Sequence, residues 1–131
     1  MAPKKPQRTP RIATGFDVNY TCTNNSCNWT GRVLNPASEL DNKTWTCTGC
    51  GDPVLIEMDD RAGHKVDVRR YQAQYVEAGQ MVYLHNDLKT AYFVKGSSPA
   101  TSLKYAGQVM LGLANLAGVY FMQDEYVNCV P

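Results

Sequence analysis

Four of the chain's five cysteines fall in two tight pairs, and this pattern restricts the fold more than any other feature of its 131 residues. Cys22 and Cys27, in "YTCTNNSCNW", enclose four residues; Cys47 and Cys50, in "WTCTGCGD", enclose two. Nineteen residues separate the pairs. Short β-like runs flank both, "FDVNYTC" and "GRVL" around the first, "KTWTC" and "PVLIEM" around the second. Two such knuckles at the tips of facing hairpins can bring four thiolates to about 2.3 Å from one tetrahedral ion.

Three chemistries use paired cysteines. Disulfides suit a secreted chain, but no apolar run follows the basic start, so no export signal is expected. Cys129 also leaves the cysteine count odd, and the sequence leaves it buried, free or bridging to another chain. A redox C-x-x-C normally opens a helix, whereas Cys47 and Cys50 lie between β-like segments. A four-thiolate metal site fits the spacing, as structural zinc or as iron in a rubredoxin-like site.

Residues 18–58 resemble a zinc ribbon in this pattern. The resemblance implies a structural Zn2+ held by Cys22, Cys27, Cys47 and Cys50, with the glycines of "CTGCG" supplying positive φ where the chain folds back. Four sulfur ligands leave no open position for a water or a substrate. Such an ion stabilises a segment too short for a core of its own.

Charge is unevenly spread. Lys4, Lys5, Arg8 and Arg11 make the first sixteen residues purely basic, while the remainder carries nine basic and twelve acidic residues. Three prolines within residues 1–15 argue for an extended arm. Its four cations are the candidate partner-binding residues, suited to phosphate or to an acidic protein surface.

A hydrophobic content of 44% and eight tyrosines predict a packed core. The polar joint "DDRAGHK" divides a ribbon at 16–60 from a second unit at 61–131. There, alternation through Val66, Val68, Tyr71, Ala73 and Tyr75 predicts a half-buried strand, and "MVYL" and "AYFV" two more. "KGSSPATS" reads as loop. Leu103, Ala106, Met110, Leu113, Ala117 and Tyr120 follow a helical spacing, but Gly107, Gly112 and Gly118 would each cost about 1 kcal/mol in a helix. Strands with a turn at "GLANLAG" are therefore expected, ending in "VYFM" and "EYVNCV". The fold class expected is mainly β: an extended basic arm, a four-cysteine ribbon, and a small antiparallel β-sandwich or barrel-like domain. Tyr105–Met122 is too polar for a membrane span.

Catalysis has little to work with. His64 and His85 are the two histidines, and His85 stands near Asp87, but no nucleophile sits in a recognisable motif. A non-enzymatic protein is expected.

Residues 76–122 run in a distinctive order: turn "AGQ", strand "VYL", strand "AYFV", small-residue loop "GSSPATS", then "AGQVMLGLA" and "AGVYFM". This order is similar to the small β-rich capsid decoration and minor virion proteins of tailed bacteriophages. The resemblance implies a protein that docks on and stabilises a large assembly, its partner the major capsid protein or another large protein surface. It further implies a place in the virion after synthesis in the host cytoplasm, and it is compatible with a homo-oligomer. Tyr71, Tyr75 and Tyr83 are then either contacts or half-buried sheet residues. The alternative is a cytoplasmic zinc-ribbon module that binds nucleic acid or a host protein. In that case the arm would meet phosphates, and Trp29 or Trp45 would stack on bases or else shield the metal.

Overall fold

The computed structural model describes residues 12–84 and 87–131. In chain order the strands are β1 (Asp17–Thr21), β2 (Leu40–Asp41), β3 (Thr46–Cys47), β4 (Leu55–Asp59) and β5 (Lys65–Gln72). They continue with β6 (Met81–Tyr83), β7 (Ala91–Pro99), β8 (Gln108–Leu113), β9 (Val119–Met122) and β10 (Tyr126–Cys129). Eight of them form one antiparallel sheet in the order β1-β4-β5-β10-β6-β7-β8-β9, and β2 pairs with β3 in a separate small hairpin. Two single 3₁₀ turns, Ala73–Tyr75 and Leu103–Tyr105, are the helical elements among the described residues. The fold is mainly β, as the alternation predicts.

Two apolar clusters form, and strand alternation places them on opposite faces of the central strands. Along β5, Val66 and Val68 join the cluster that holds Leu34, Trp45, Ile56, Met58 and the cysteine knuckles. Tyr71, and Ala73 just beyond the strand, join the cluster of Val94, Leu111, Leu113, Phe121 and Cys129. β10 repeats the division: Tyr126 packs in the first cluster, Val127 and Cys129 in the second. All four β10 residues are buried, because β10 is covered on both sides and paired at both edges. The β4–β5 pairing, from Ile56↔Val68 to Asp59↔Lys65, carries the sheet across the polar joint at residues 59–65.

Two local readings are corrected, and one left open is resolved. The strand expected to run through Ala73 and Tyr75 stops at Gln72, where a 3₁₀ turn buries Ala73 and leaves Tyr75 exposed. Of the two readings left open for the tyrosines, half-buried sheet packing holds for Tyr71 and Tyr83, which pack against the two cores. The "KGSSP" stretch read as loop is the second half of β7, paired with β8 from Gly96↔Gly112 to Pro99↔Val109 after a bulge at Lys95. Its composition is poor for a strand, but a neighbour with free ladder groups outweighs weak intrinsic preference. The preference for strands over a helix in residues 103–122 holds from residue 108 on, where β8 and β9 pair from Gln108↔Met122 to Leu111↔Val119, while Leu103–Tyr105 forms a 3₁₀ turn.

Candidate metal centre

The sulfurs of Cys22, Cys27, Cys47 and Cys50 all lie within 4.8 Å of one another. Cys22 Sγ is 3.8 Å from Cys50 Sγ, and Cys27 Sγ is 3.9 Å from Cys47 Sγ. A disulfide needs about 2.05 Å, and all five cysteines are free thiols. A tetrahedron with vertices about 2.3 Å from its centre has edges of about 3.8 Å, so this donor set fits one thiolate-bound ion. The cluster can hold a metal ion, and its arrangement is consistent with a zinc ribbon.

Backbone hydrogen bonds shape each knuckle. In the first, Cys27 N–H donates to Asn24 O (3.0 Å) and Gly31 N–H to Cys22 O (2.7 Å). In the second, Gly51 N–H donates to Cys47 O (2.7 Å) and Cys47 N–H to Asp52 O (2.9 Å). The two glycines of "CTGCG" act differently. Gly51 takes φ +78°, as expected of a fold-back, whereas Gly49 makes room: a Cβ there would meet the Trp29 ring at 3.1 Å. Trp29 thus closes over the second knuckle from the first, and the Arg32 guanidinium, paired with Glu39, lies 5.3 Å from the centroid of its ring.

The thiols are not equivalent. Burial pushes Cys22 up to about 12, while the Asp52 backbone N–H holds Cys50 below the ordinary thiol value. Four thiolates side by side, three of them buried, would repel one another, and a cation among them removes that penalty. The fifth cysteine, Cys129, sits in the other core with its thiol directed at Val127 O and pushed up to about 12 by burial. It behaves as a small apolar side chain.

The ribbon is fastened to the sheet by Arg70, whose importance the sequence hides. Its neighbours suggest a surface "VRRY", yet Arg70 is 1% exposed. Its guanidinium makes a bidentate pair with Asp17 (2.8 and 2.7 Å), and its Nε donates to Asn128 (2.8 Å). Tyr20 O–H donates to the same Asp17 carboxylate at 2.6 Å. The Trp45 ring lies over the guanidinium and stacks near Tyr20. Trp45 reaches this place from a left-handed backbone conformation (φ 58°) inside the β2–β3 hairpin. The one readable trace of this in the sequence is the apolar alternation that gives Val66, Val68 and residue 70 the same inward face.

Of the other candidates, His64 Nδ1 pairs with Asp60 at 2.8 Å in the β4–β5 turn, a turn-stabilising contact. Asp60 also accepts from the N–H groups of Ala62 and His64. Lys4, Lys5, Arg8 and Arg11, and His85, lie outside the described residues. No helix among the described residues is long and apolar enough to cross a membrane. No protein-family model, curated protein or solved structure matches this chain.

Proposed function

We propose that this chain is a non-enzymatic structural protein that docks on a large assembly and stabilises it, as a capsid decoration or minor virion protein of a tailed bacteriophage does. The observation that carries the reading is the continuity of β6, β7, β8 and β9 as adjacent antiparallel strands. They are the four strands of the segment whose order resembles those proteins. A metal site of four thiolates supports the same reading, because a saturated site stabilises without offering a reactive position. The ion proposed is Zn2+, which has no redox chemistry and favours closed four-sulfur sites in structural roles. In this reading the arm cations Lys4, Lys5, Arg8 and Arg11 meet the partner surface. The test is mass spectrometry of density-purified phage particles from cells that produce the chain. Stoichiometric recovery with the capsid supports the reading, and a chain left wholly in the soluble fraction overturns it.

A second reading, a zinc-ribbon module for nucleic acid or a host protein, is favoured by the purely basic first sixteen residues. Its nucleic-acid branch predicts binding that weakens by orders of magnitude between about 50 and 200 mM salt.

A further inference from the structure

Solvent reaches the four clustered cysteines unequally. Cys22, Cys27 and Cys47 are 1%, 9% and 0% exposed, whereas Cys50 is only half-buried. Trp29 contributes to the difference. Its ring closes over Gly49, where a Cβ would meet the ring at 3.1 Å and Cys27 Sγ at 3.5 Å. The Trp29 N–H also donates to Cys27 Sγ, at 3.5 Å. Cys27 is thus capped by its own knuckle, and Cys50 forms the open side of the centre.

Two sulfur contacts join the knuckles. Cys22 Sγ lies 3.8 Å from Cys50 Sγ, and Cys27 Sγ lies 3.9 Å from Cys47 Sγ. Each contact crosses from one knuckle to the other, and together they use all four sulfurs once. A disulfide of about 2.05 Å would shorten either contact by about 1.8 Å. Cys129 provides a comparison within the same chain. It is fully buried in the other apolar cluster, which holds no second cysteine, with its thiol directed at Val127 O.

We infer that the four-cysteine centre is also a site of oxidative modification, where peroxide attacks Cys50, closes a Cys22–Cys50 disulfide between the knuckles and displaces the bound ion. Hydrogen peroxide is the two-electron oxidant. The Cys50 sulfur takes one peroxide oxygen as the O–O bond breaks, which leaves a sulfenic acid and hydroxide. The Cys22 thiolate then bonds to the Cys50 sulfur, and a second hydroxide departs. Two of the four donors are consumed, so the closed tetrahedral site no longer exists. A second peroxide converts Cys27 and Cys47 in the same way. The first bond joins residues 28 positions apart, one in each knuckle. It therefore restrains the ribbon covalently where the ion did. The inference rests on the four-thiolate metal centre proposed above. Zinc content before oxidation tests that centre, and the linkage formed afterwards tests the inference.

The experiment treats the full-length, zinc-loaded chain with hydrogen peroxide and follows zinc release with a colorimetric chelator. Remaining thiols are then alkylated and the peptides mapped by mass spectrometry. About one zinc should be released for each Cys22–Cys50 link formed, with the Cys27–Cys47 link following and Cys129 still a thiol. Dithiothreitol with added zinc should reverse both links. The oxidised chain should melt between the zinc-loaded protein and the reduced, chelator-treated one. A first link within a knuckle, Cys22–Cys27 or Cys47–Cys50, overturns the inference. So does zinc retained throughout the treatment, Cys129 oxidised ahead of Cys50, or an oxidised chain that melts with the chelator-treated protein. The wild-type chain carries every arm, so the result does not depend on a variant that folds.

Discussion

The Arg70 guanidinium lies 4.3 Å from the centroid of the Trp45 ring, which ties the cysteine-bearing hairpin to the central sheet. Arg70 comes from β5 and Trp45 from the loop between β2 and β3, so neither is near the other in sequence. The four-cysteine cluster and the buried Arg70–Asp17 ion pair thus meet in the same apolar cluster through Trp45.

Losing either half of that pair leaves an uncompensated charge where water does not reach. Asp17→Ala or Arg70→Ala should therefore destabilise the protein by about 3–5 kcal/mol. The double variant Asp17→Leu/Arg70→Met should recover much of that loss. Urea denaturation of the metal-loaded proteins, followed by tryptophan fluorescence, measures both. Equal stabilities for wild type and the single variants would mean that the pair contributes nothing.

Cys50→Ser or Cys47→Ser should abolish stoichiometric metal binding and remove metal-linked stabilisation on the order of 10 kcal/mol. The Trp29 and Trp45 fluorescence should then resemble that of the chelator-treated protein. Elemental mass spectrometry together with thermal melts checks this. Full metal content and an unchanged melt in the variant would refute a four-thiolate centre.

The two glycines of the second knuckle should respond differently to alanine. Gly51→Ala forces an L-residue into φ +78° with nothing else in the way, and should lose about 1–2 kcal/mol. Gly49→Ala meets the Trp29 ring, so pairing it with Trp29→Leu should restore stability lost in the single variant. Double-mutant denaturation resolves the two cases.

Acid stability should depend on Asp60. Partial burial acts to raise its carboxyl, but the N–H groups of Ala62 and His64 and the His64 ring outweigh this and hold it below the ordinary value. A carboxyl depressed in the folded state stabilises above its unfolded pKa and loses that contribution as pH falls. The loss should begin below about pH 4. Asp60→Asn should thus narrow its stability gap to wild type as pH is lowered from 6 toward 3, measured by denaturation at fixed free zinc. A constant gap across that range would remove Asp60 from the acid response.

Removing residues 1–11 should leave the fold within about 0.5 kcal/mol of wild type, because the cut spares Ile12, which packs on the ribbon-side core. Attachment to the partner assembly should weaken. Undiminished attachment by the truncated chain would dismiss the arm as a contact device.

Much of this molecule was readable because its information is local. Cysteine spacing announced a four-sulfur cluster, since thiols two to four residues apart in β-like context have few ways to converge. Period-two alternation announced strands, and glycines argued correctly against one continuous helix over residues 103–122, of which only Leu103–Tyr105 is a 3₁₀ turn. What sequence left open was pairing between distant segments. "KGSSP" became strand because β8 supplied its ladder, and Arg70, on a stretch that reads as surface, became the most buried charge among the described residues because Asp17 and Asn128 converge on it. Gly96 and Gly112 likewise come side by side only once β7 and β8 are set in register. Local composition decides which conformations are affordable residue by residue, whereas long-range pairing decides which polar groups find partners away from water, and only the folded chain brings those partners together.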